Sequence, residues 1–371
     1  MFMKKKQVKI VNMVLHLTLI KKYLQMKINK ILLAFFIGGL LFSCENKEVT
    51  YPDFDYTTVY FASQYPLRTL ELGKDSEIDN TLDNEHKVRI TATMGGVYSN
   101  STDRIINFEV DESLCDGVSF VDAPTDLVPM PANYYNLESD QIIIKSGNIL
   151  GGVVVELTNA FFEDPLAIDQ HYVIPVLMTS VVNADSILSG QASSNVEDPN
   201  RMVSDDWTIV PKDYVLYAIK YINPWHANYL RRGVDEISDG INTIIDVRHN
   251  EYVEYDELVS ISTLSLTECS LPVKIYEDDN KTTRANVVLI LTFDDQNNCT
   301  VSDNSSTYNI NGTGKFVTDG EKNSMGGFDR DGLYLDYTVE LSDLGYTYST
   351  KDTLVCRDRG VIPETYNINV E

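Results

Sequence analysis

Histidine is scarce in this chain, and long apolar runs are absent. The five histidines, His16, His86, His171, His226 and His249, stand apart without the spacing of shared metal ligands. Gly-x-Ser-x-Gly elbows, His-Glu-x-x-His helices and phosphate-cradling glycine loops are missing too, which removes the local signatures of hydrolases, zinc peptidases and nucleotide enzymes. No apolar run approaches the roughly 20 residues of a membrane-spanning helix. The run Ile31 to Phe42 has only 12 residues. Positive charge is also short, with 30 Lys and Arg against 55 Asp and Glu and a formal net charge of −25. A surface this acidic repels phosphate backbones and anionic head groups, so the expected partners include no nucleic acid.

What is present begins with that short run. Lys27-Ile28-Asn29-Lys30 precedes it and Ser43-Cys44 closes it, the pattern of a lipoprotein signal peptide. Cleavage leaves Cys44 as a lipidated N-terminus, and the lipid is the only expected membrane attachment. Residues 1–25 read either as a long basic leader or as sequence ahead of a start at Met26. Residues 1–43 hold eight lysines and no acid, so the remaining 328 residues carry −33. Residues 44–55 read as a lipidated tether, polar and containing Pro52. The other cysteines divide as Cys115 in the first half and Cys269, Cys299 and Cys356 in the second, which makes no neat disulfide framework. A Cys269–Cys299 pair and four free thiols both remain open.

The rest predicts an all-β protein. Between residues 56 and 183, Thr57 to Ala62, Lys87 to Thr93, Arg104 to Asp111, Gln141 to Lys145, Gly152 to Thr158 and His171 to Val181 are rich in β-branched and aromatic residues. Val88, Ile90 and Ala92 alternate with Lys87, Arg89 and Thr91, so that strand has one buried and one wet face. Half-buried antiparallel strands of this kind are expected to pack as a two-sheet, immunoglobulin-like sandwich. Residues 184–212, with Ser189-Gly190-Gln191-Ala192-Ser193-Ser194-Asn195, read as a linker. From 213 to 371 strands resume at Tyr214 to Ile222, Asn242 to Arg248, Leu258 to Leu266, Val273 to Tyr276, Asn286 to Phe293, Thr300 to Ser302, Gly314 to Thr318, Gly332 to Leu341 and Tyr346 to Arg357. Short polar turns separate several of them. This second antiparallel domain is expected as an open sheet or as a closed or partly closed up-and-down, lipocalin-like barrel, since closure removes exposed edges.

Chemistry-bearing residues are few. Glu109 with Asp111, and Glu254, Asp256 and Glu257, are spaced for carboxylate pairs, but 55 acids generate such pairs by chance and solvated strand faces are the expected outcome. Residues 184–371 are too few for a (β/α)₈ barrel of about 250 residues. Asp329-Arg330-Asp331-Gly332 resembles half an EF-hand loop, yet Gly327 and Thr338 occupy the first and last ligand places, so a turn is expected and no metal or other cofactor. Asp278-Asp279-Asn280 reads as a hairpin turn. Sugar recognition uses exposed aromatic faces beside amides and carboxylates. The candidates are Trp207 near the linker, Tyr134 and Tyr135 in a loop, and Trp225, whose expected place is rather as a plug at one end of a barrel or sheet with Arg231 or Arg232 packed on it.

Two sets of segments carry a family resemblance. Val59-Tyr60-Phe61-Ala62, Asn107 to Asp111, Pro129 to Tyr135, Ile142 to Gly147 and Tyr172 to Val176 resemble domain-of-unknown-function family 1735. Asn223 to Gly233, Gly312-Thr313-Gly314-Lys315-Phe316, Leu333 to Tyr337 and Lys351 to Arg359 resemble family 4361, with Ala227 where a glycine is expected. The resemblance implies a Bacteroidetes outer-membrane lipoprotein facing the cell exterior, a direction that Glu45 and Glu48 after the cysteine also suit. It implies a role in capturing polysaccharide or oligosaccharide beside a SusD-like receptor and its transporter, and the missing catalytic signatures make the expected role a non-catalytic one. Asp185-Ser186-Ile187 and Asp352-Thr353-Leu354 fit the O-glycosylation pattern of those bacteria. Two other functions stay open: a fimbrial or adhesin subunit, which needs a free edge strand, and a barrel enclosing an apolar ligand.

Overall fold

The structure, a computed structural model, describes residues 54, 56–75, 78–121, 125–277, 282–303 and 307–370, together with 21, 22, 25 and 27. The signal segment, Cys44, most of the tether and the Asp278-Asp279-Asn280 turn lie outside the described residues. Residues 54–371 form one compact unit, and the fold is nearly all β.

The first half runs through β1 (Thr58–Tyr60), β2 (Pro66–Glu71), β3 (Lys87–Gly95), β4 (Arg104–Val110), β5 (Val118–Phe120), β6 (Val128–Pro129), β7 (Tyr135–Leu137), β8 (Gln141–Ile144), β9 (Leu150–Leu157) and β10 (Tyr172–Val182). Then come β11 (Ser186–Ile187), β12 (Gln191–Ala192), β13 (Trp207–Ile209) and β14 (Tyr214–Ile222). One sheet has the order β11-β1-β3-β9-β7, and a second contains β24 (Glu364–Thr365) with β2, β14, β10, β4 and β8. Their inner faces share a core that includes Val88, Ile90, Ile106, Phe108, Val155, Ile174 and Ile219. The alternation read in β3 is realised, with Val88, Ile90, Ala92 and Met94 all buried.

β14 is central to the second sheet, antiparallel to β10 and parallel to β2. The expected boundary at residue 213 therefore falls one strand before the chain leaves the first half. Tyr214 to Ile222 carries buried residues on both faces, because the main core lies on one side and Leu67, Leu114 and Phe120 on the other. The C-terminal tail returns as well: β24 pairs with β2, and β25 (Ile368–Val370) with β5.

The second half is an eight-stranded antiparallel barrel. It runs β15 (Ala227–Ser238), β17 (Glu257–Thr263), β18 (Glu268–Tyr276), β19 (Thr283–Phe293), β20 (Asn298–Ser302), β21 (Asn309–Glu321), β22 (Arg330–Leu341) and β23 (Tyr346–Asp358), and β23 returns to β15. β15 is the seam. One edge pairs with β23 from Asn228 to Ser238, and the other is shared by β17 along Ala227–Arg231 and by β16 (Thr243–Arg248) along Gly233–Ser238. On β22, Leu333, Leu335, Tyr337, Val339 and Leu341 are buried as their alternation requires. Glycine at 312 permits the close approach of β21, since a Cβ there would lie 2.4 Å from that of Tyr337.

A charged network crosses the seam inside the barrel. Arg231 Nε donates to Asp352 Oδ2 at 2.8 Å, its Nη1 to Glu257 at 3.2 Å and its Nη2 to the Tyr337 hydroxyl at 3.1 Å. Arg248 bridges Asp235 at 2.5 Å and Asp352 at 2.6 Å, and Thr350 donates to Asp235 at 2.7 Å. Burial alone would raise the Asp352 carboxyl pKa, but Arg231 and Arg248 outweigh it and hold the group below the usual carboxylate range. Removing one partner of such a pair leaves an uncompensated buried charge. Asp352→Ala is therefore expected to lower stability by about 3–5 kcal/mol in urea unfolding, with much of the loss restored in an Arg231→Met, Asp352→Leu double variant. Two equally mild single and double variants would contradict this account.

Candidate functional site

The aromatic candidates read from sequence do not form one site. Trp225 is 6% exposed and stacks on Phe293, with ring centroids 4.0 Å apart. Its indole Nε1 donates to Asn297 at 3.2 Å, so it closes one end of the barrel core, while Arg231 turns to Asp352 and Arg232 to Asp256. Tyr134 and Tyr135 are half-buried against the first core. The Tyr134 hydroxyl donates to Asp164 at 2.8 Å, and Tyr172 donates to the same oxygen at 2.6 Å. Trp207 is half-buried on β13, and its indole Nε1 donates to the Asn200 carbonyl at 2.8 Å. Each of Trp225, Tyr134 and Trp207 has its polar atom committed to the chain itself.

Sequence reading missed another set of rings. The connection between β16 and β17 presents Tyr252 and Tyr255, 58% and 72% exposed, with centroids 6.3 Å apart and planes near perpendicular. The buried Asp256 fixes this loop. Asp256 accepts from Asn250 N–H at 2.6 Å and from Arg232 Nε at 2.5 Å, while the Asn250 amide donates to the Tyr255 carbonyl. Between the two tyrosines, Glu254 accepts from Gly326 N–H at 3.3 Å. Gly326 and Gly327 have φ of 69° and 78°, a left-handed pair that favours glycine and turns the β21–β22 connection back on itself. Phe328 follows, 67% exposed. The Glu254–Gly326 bond thus ties together two connections at the barrel rim, one carrying Tyr252 and Tyr255 and the other Phe328.

A cleft of about 60 Å³ lies beside Phe328, lined by Lys74, Asp319, Asp329, Arg330, Asp331 and Arg357 among others. Its acids are satisfied locally. Asp319 pairs with Lys74 at 2.8 Å, Asp329 accepts from Lys322 at 2.9 Å and Asn323 N–H at 3.0 Å, and Asp331 accepts from Asp319 N–H at 2.7 Å. The Asp329 and Asp331 bonds are contacts within the β21–β22 connection and the Lys74–Asp319 pair is a long-range one, and no group of three His, Cys, Asp or Glu among the described residues could hold a metal ion. The sequence-clustered acids are also committed: Glu254 to Gly326, Asp256 to Arg232, Glu257 to Arg231 and Tyr276. Asp111 caps a one-turn 3₁₀ helix. Cys115, Cys269, Cys299 and Cys356 are free, and burial pushes each thiol pKa up to about 12. Of the two O-glycosylation patterns, Thr353 follows the network residue Asp352, and the Ser186 hydroxyl lies 3.0 Å from that of Thr58.

The solved structures give the kinship. One from Bacteroides ovatus, a protein of unknown function at 2.40 Å resolution, is 48% identical over 86% of this chain and 100% of its own, with a TM-score of 0.80. The chain belongs to that protein's family. A model of an N-terminal domain matches residues 54–185, and the model of domain of unknown function DUF5627 matches residues 224–360, where the sequence motifs lead us to expect family 4361. An auxiliary nutrient binding protein from Bacteroides thetaiotaomicron is 11% identical over 78% of this chain and 90% of its own, at a TM-score of 0.34. Another Bacteroides ovatus protein of unknown function is 9% identical over 82% and 94%, at 0.38. Those two likenesses are too loose to bear on function. No curated protein matches the chain.

The DUF5627 segment opens at the junction of the two halves, and there His226 has a definite chemistry. Its Nδ1 accepts from Thr263 N–H at 3.1 Å, which fixes the neutral ring. Burial first, then Arg359 and Lys220, lowers its pKa from 6.5 to about 4. Because the unfolded chain takes up this proton first, stability is complete above pH 6.5 and falls as pH drops toward 4, by on the order of 2–3 kcal/mol. Urea midpoints measured across that window should show the slope, and His226→Gln should flatten it. Equal slopes in the two proteins would rule out the assignment.

Proposed function

We propose that this protein is a non-catalytic lipoprotein, exported and anchored through Cys44 at the outer membrane with its body facing the cell exterior, and that it binds polysaccharide or oligosaccharide. The observation that carries the binding reading is the exposed ring set Tyr252, Tyr255 and Phe328 around Glu254. Pyranose rings present C–H faces to aromatic planes and hydroxyls to carboxylates and amides, and this rim offers both on loops tied to the buried Asp256 and to each other. Its acidic surroundings suit neutral or cationic sugars better than sulfated ones. The partnership with a SusD-like receptor rests on the resemblance alone. The barrel interior carries its own core, with Leu271, Leu289, Leu333, Val339 and Leu354 fully buried, and a charge network, which favours a surface site over an enclosed apolar ligand.

A glycan array probed with the purified protein tests the reading. Retention on at least one glycan is expected, with Tyr255→Ala or Phe328→Ala weakening it tenfold or more, about 1.4 kcal/mol, at unchanged Tm. Retention that survives these variants and is lost in Trp207→Ala or Tyr134→Ala would move the site to the first half. No retention on any glycan would sink the proposal. For the anchor, Cys44→Ser should release the protein from the membrane fraction, and continued membrane retention would refute lipidation there.

A further inference from the structure

Most sheet ends in this fold are kept short. β11 and β24 have two residues, β7 three and β8 four. Short ends limit unwanted strand pairing. β16 breaks that rule. It runs six residues, pairs only with β15 among the described residues, and leaves its outer backbone edge without a strand. Thr243 to Arg248 contains neither lysine nor proline, and its two charged residues, Asp246 opposite Asp235 and Arg248 on Asp235 and Asp352, belong to the inward face and leave the outward face of the edge apolar. Instead Ile244, Ile245 and Val247 are 64%, 67% and 55% exposed, Ile241 at the hairpin tip is 92% exposed, and Val234 stands opposite Val247 on β15.

The charge around this apolar edge has one dominant sign. Glu236, directly opposite Ile245, is exposed, as are Asp239 in the turn and Glu251 just beyond the strand. Lys351, opposite Val234 on β23, faces Asp336 at 3.6 Å. A second copy of this chain, at a formal −25, would bring acid against acid. A partner with apolar and basic side chains would match both features.

We propose that the outer edge of β16 is a docking site for an extended segment of a partner protein that carries alternating apolar and lysine or arginine side chains. The segment adds to the sheet as a further strand. Main-chain hydrogen bonds supply affinity, Ile245 and Val247 pack against its apolar side chains, and Glu236 and Glu251 select its cations. This inference stands apart from the glycan reading, which uses the loop after β16.

The test uses the whole protein and three labelled ten-residue peptides: alternating Lys and Val, alternating Glu and Val, and the Lys-Val peptide N-methylated at alternate residues to block strand pairing. The Lys-Val peptide should bind at least tenfold tighter than the other two and slow amide exchange in residues 243–248. Ile245→Lys and Glu236→Lys should each reduce its binding at least fivefold at unchanged Tm. Equal binding of the three peptides, or binding indifferent to both variants, overturns the proposal. So does a dimer in sedimentation velocity that Ile245→Lys dissolves, because the edge would then belong to a second copy.

Discussion

The Arg231–Asp352 ion pair is the constraint on which the second half depends. It lies inside a closed barrel, with both side chains at most 1% exposed, and joins the two strands that close it. Desolvating two charges is tolerable only when their remaining hydrogen-bonding capacity is spent, and here Glu257, Tyr337, Arg248, Asp235 and Thr350 nearly complete that set. Arg248 Nη1 is left without a partner among the described residues. Such a network is a poor source of net stability against an apolar core of the same volume, but it discriminates sharply between registers. A two-residue slip of β23 along β15 would keep the faces of every side chain, yet in one direction it separates Arg231 from Asp352, and in the other it takes Asp352 from beside Arg248 and Thr350 from opposite Asp235.

A second set of bonds joins the barrel to the sandwich, and it accounts for the motif around Asn223. The Asn223 side chain is wholly buried and donates to the carbonyls of Ser265 and Glu268 while accepting from the N–H groups of Trp225 and His226. Arg359 completes the junction, donating to the carbonyls of Asn223 and His226 at the barrel entry and of Leu72 in the first half. Two segments that are distant in sequence and prominent in the family resemblance therefore meet as backbone clamps. Their polar residues serve the fold, which explains why neither motif announced a ligand.

The hairpins were legible because their signal is local. β22 keeps strict alternation and its turn is polar, so sequence alone located the strand and its buried face. β15 was not legible, although it is the seam of the barrel. Arg231, Asp235 and Gly233 point or pass inward where apolar residues would be expected, so the period-two pattern is broken by the network that makes the strand important. The aromatic site was missed for a related reason. Tyrosine is common in this chain, and 22 of them give no contrast between a core residue and an exposed one. Tryptophan is rare and drew the eye, but Trp225 belongs to the core.

The network and the exposed rings are linked through β17. Glu257, its first residue, is held by Arg231 and Tyr276, and the preceding Asp256 by Arg232, so the loop carrying Tyr252 and Tyr255 springs from a base fixed by half-buried ion pairs. The barrel core is already complete without those rings, since Trp225, Phe293, Tyr229, Tyr337 and Tyr348 fill its interior. The exposure of Tyr252, Tyr255 and Phe328 is thus no leftover of a crowded core. Each could be replaced by a polar residue without emptying any buried volume, and apolar surface left in water forgoes about 25 cal/mol for every Å² that burial would have removed. A rigid base, a committed carboxylate at its centre and three uncovered rings are what a preorganised recognition surface requires.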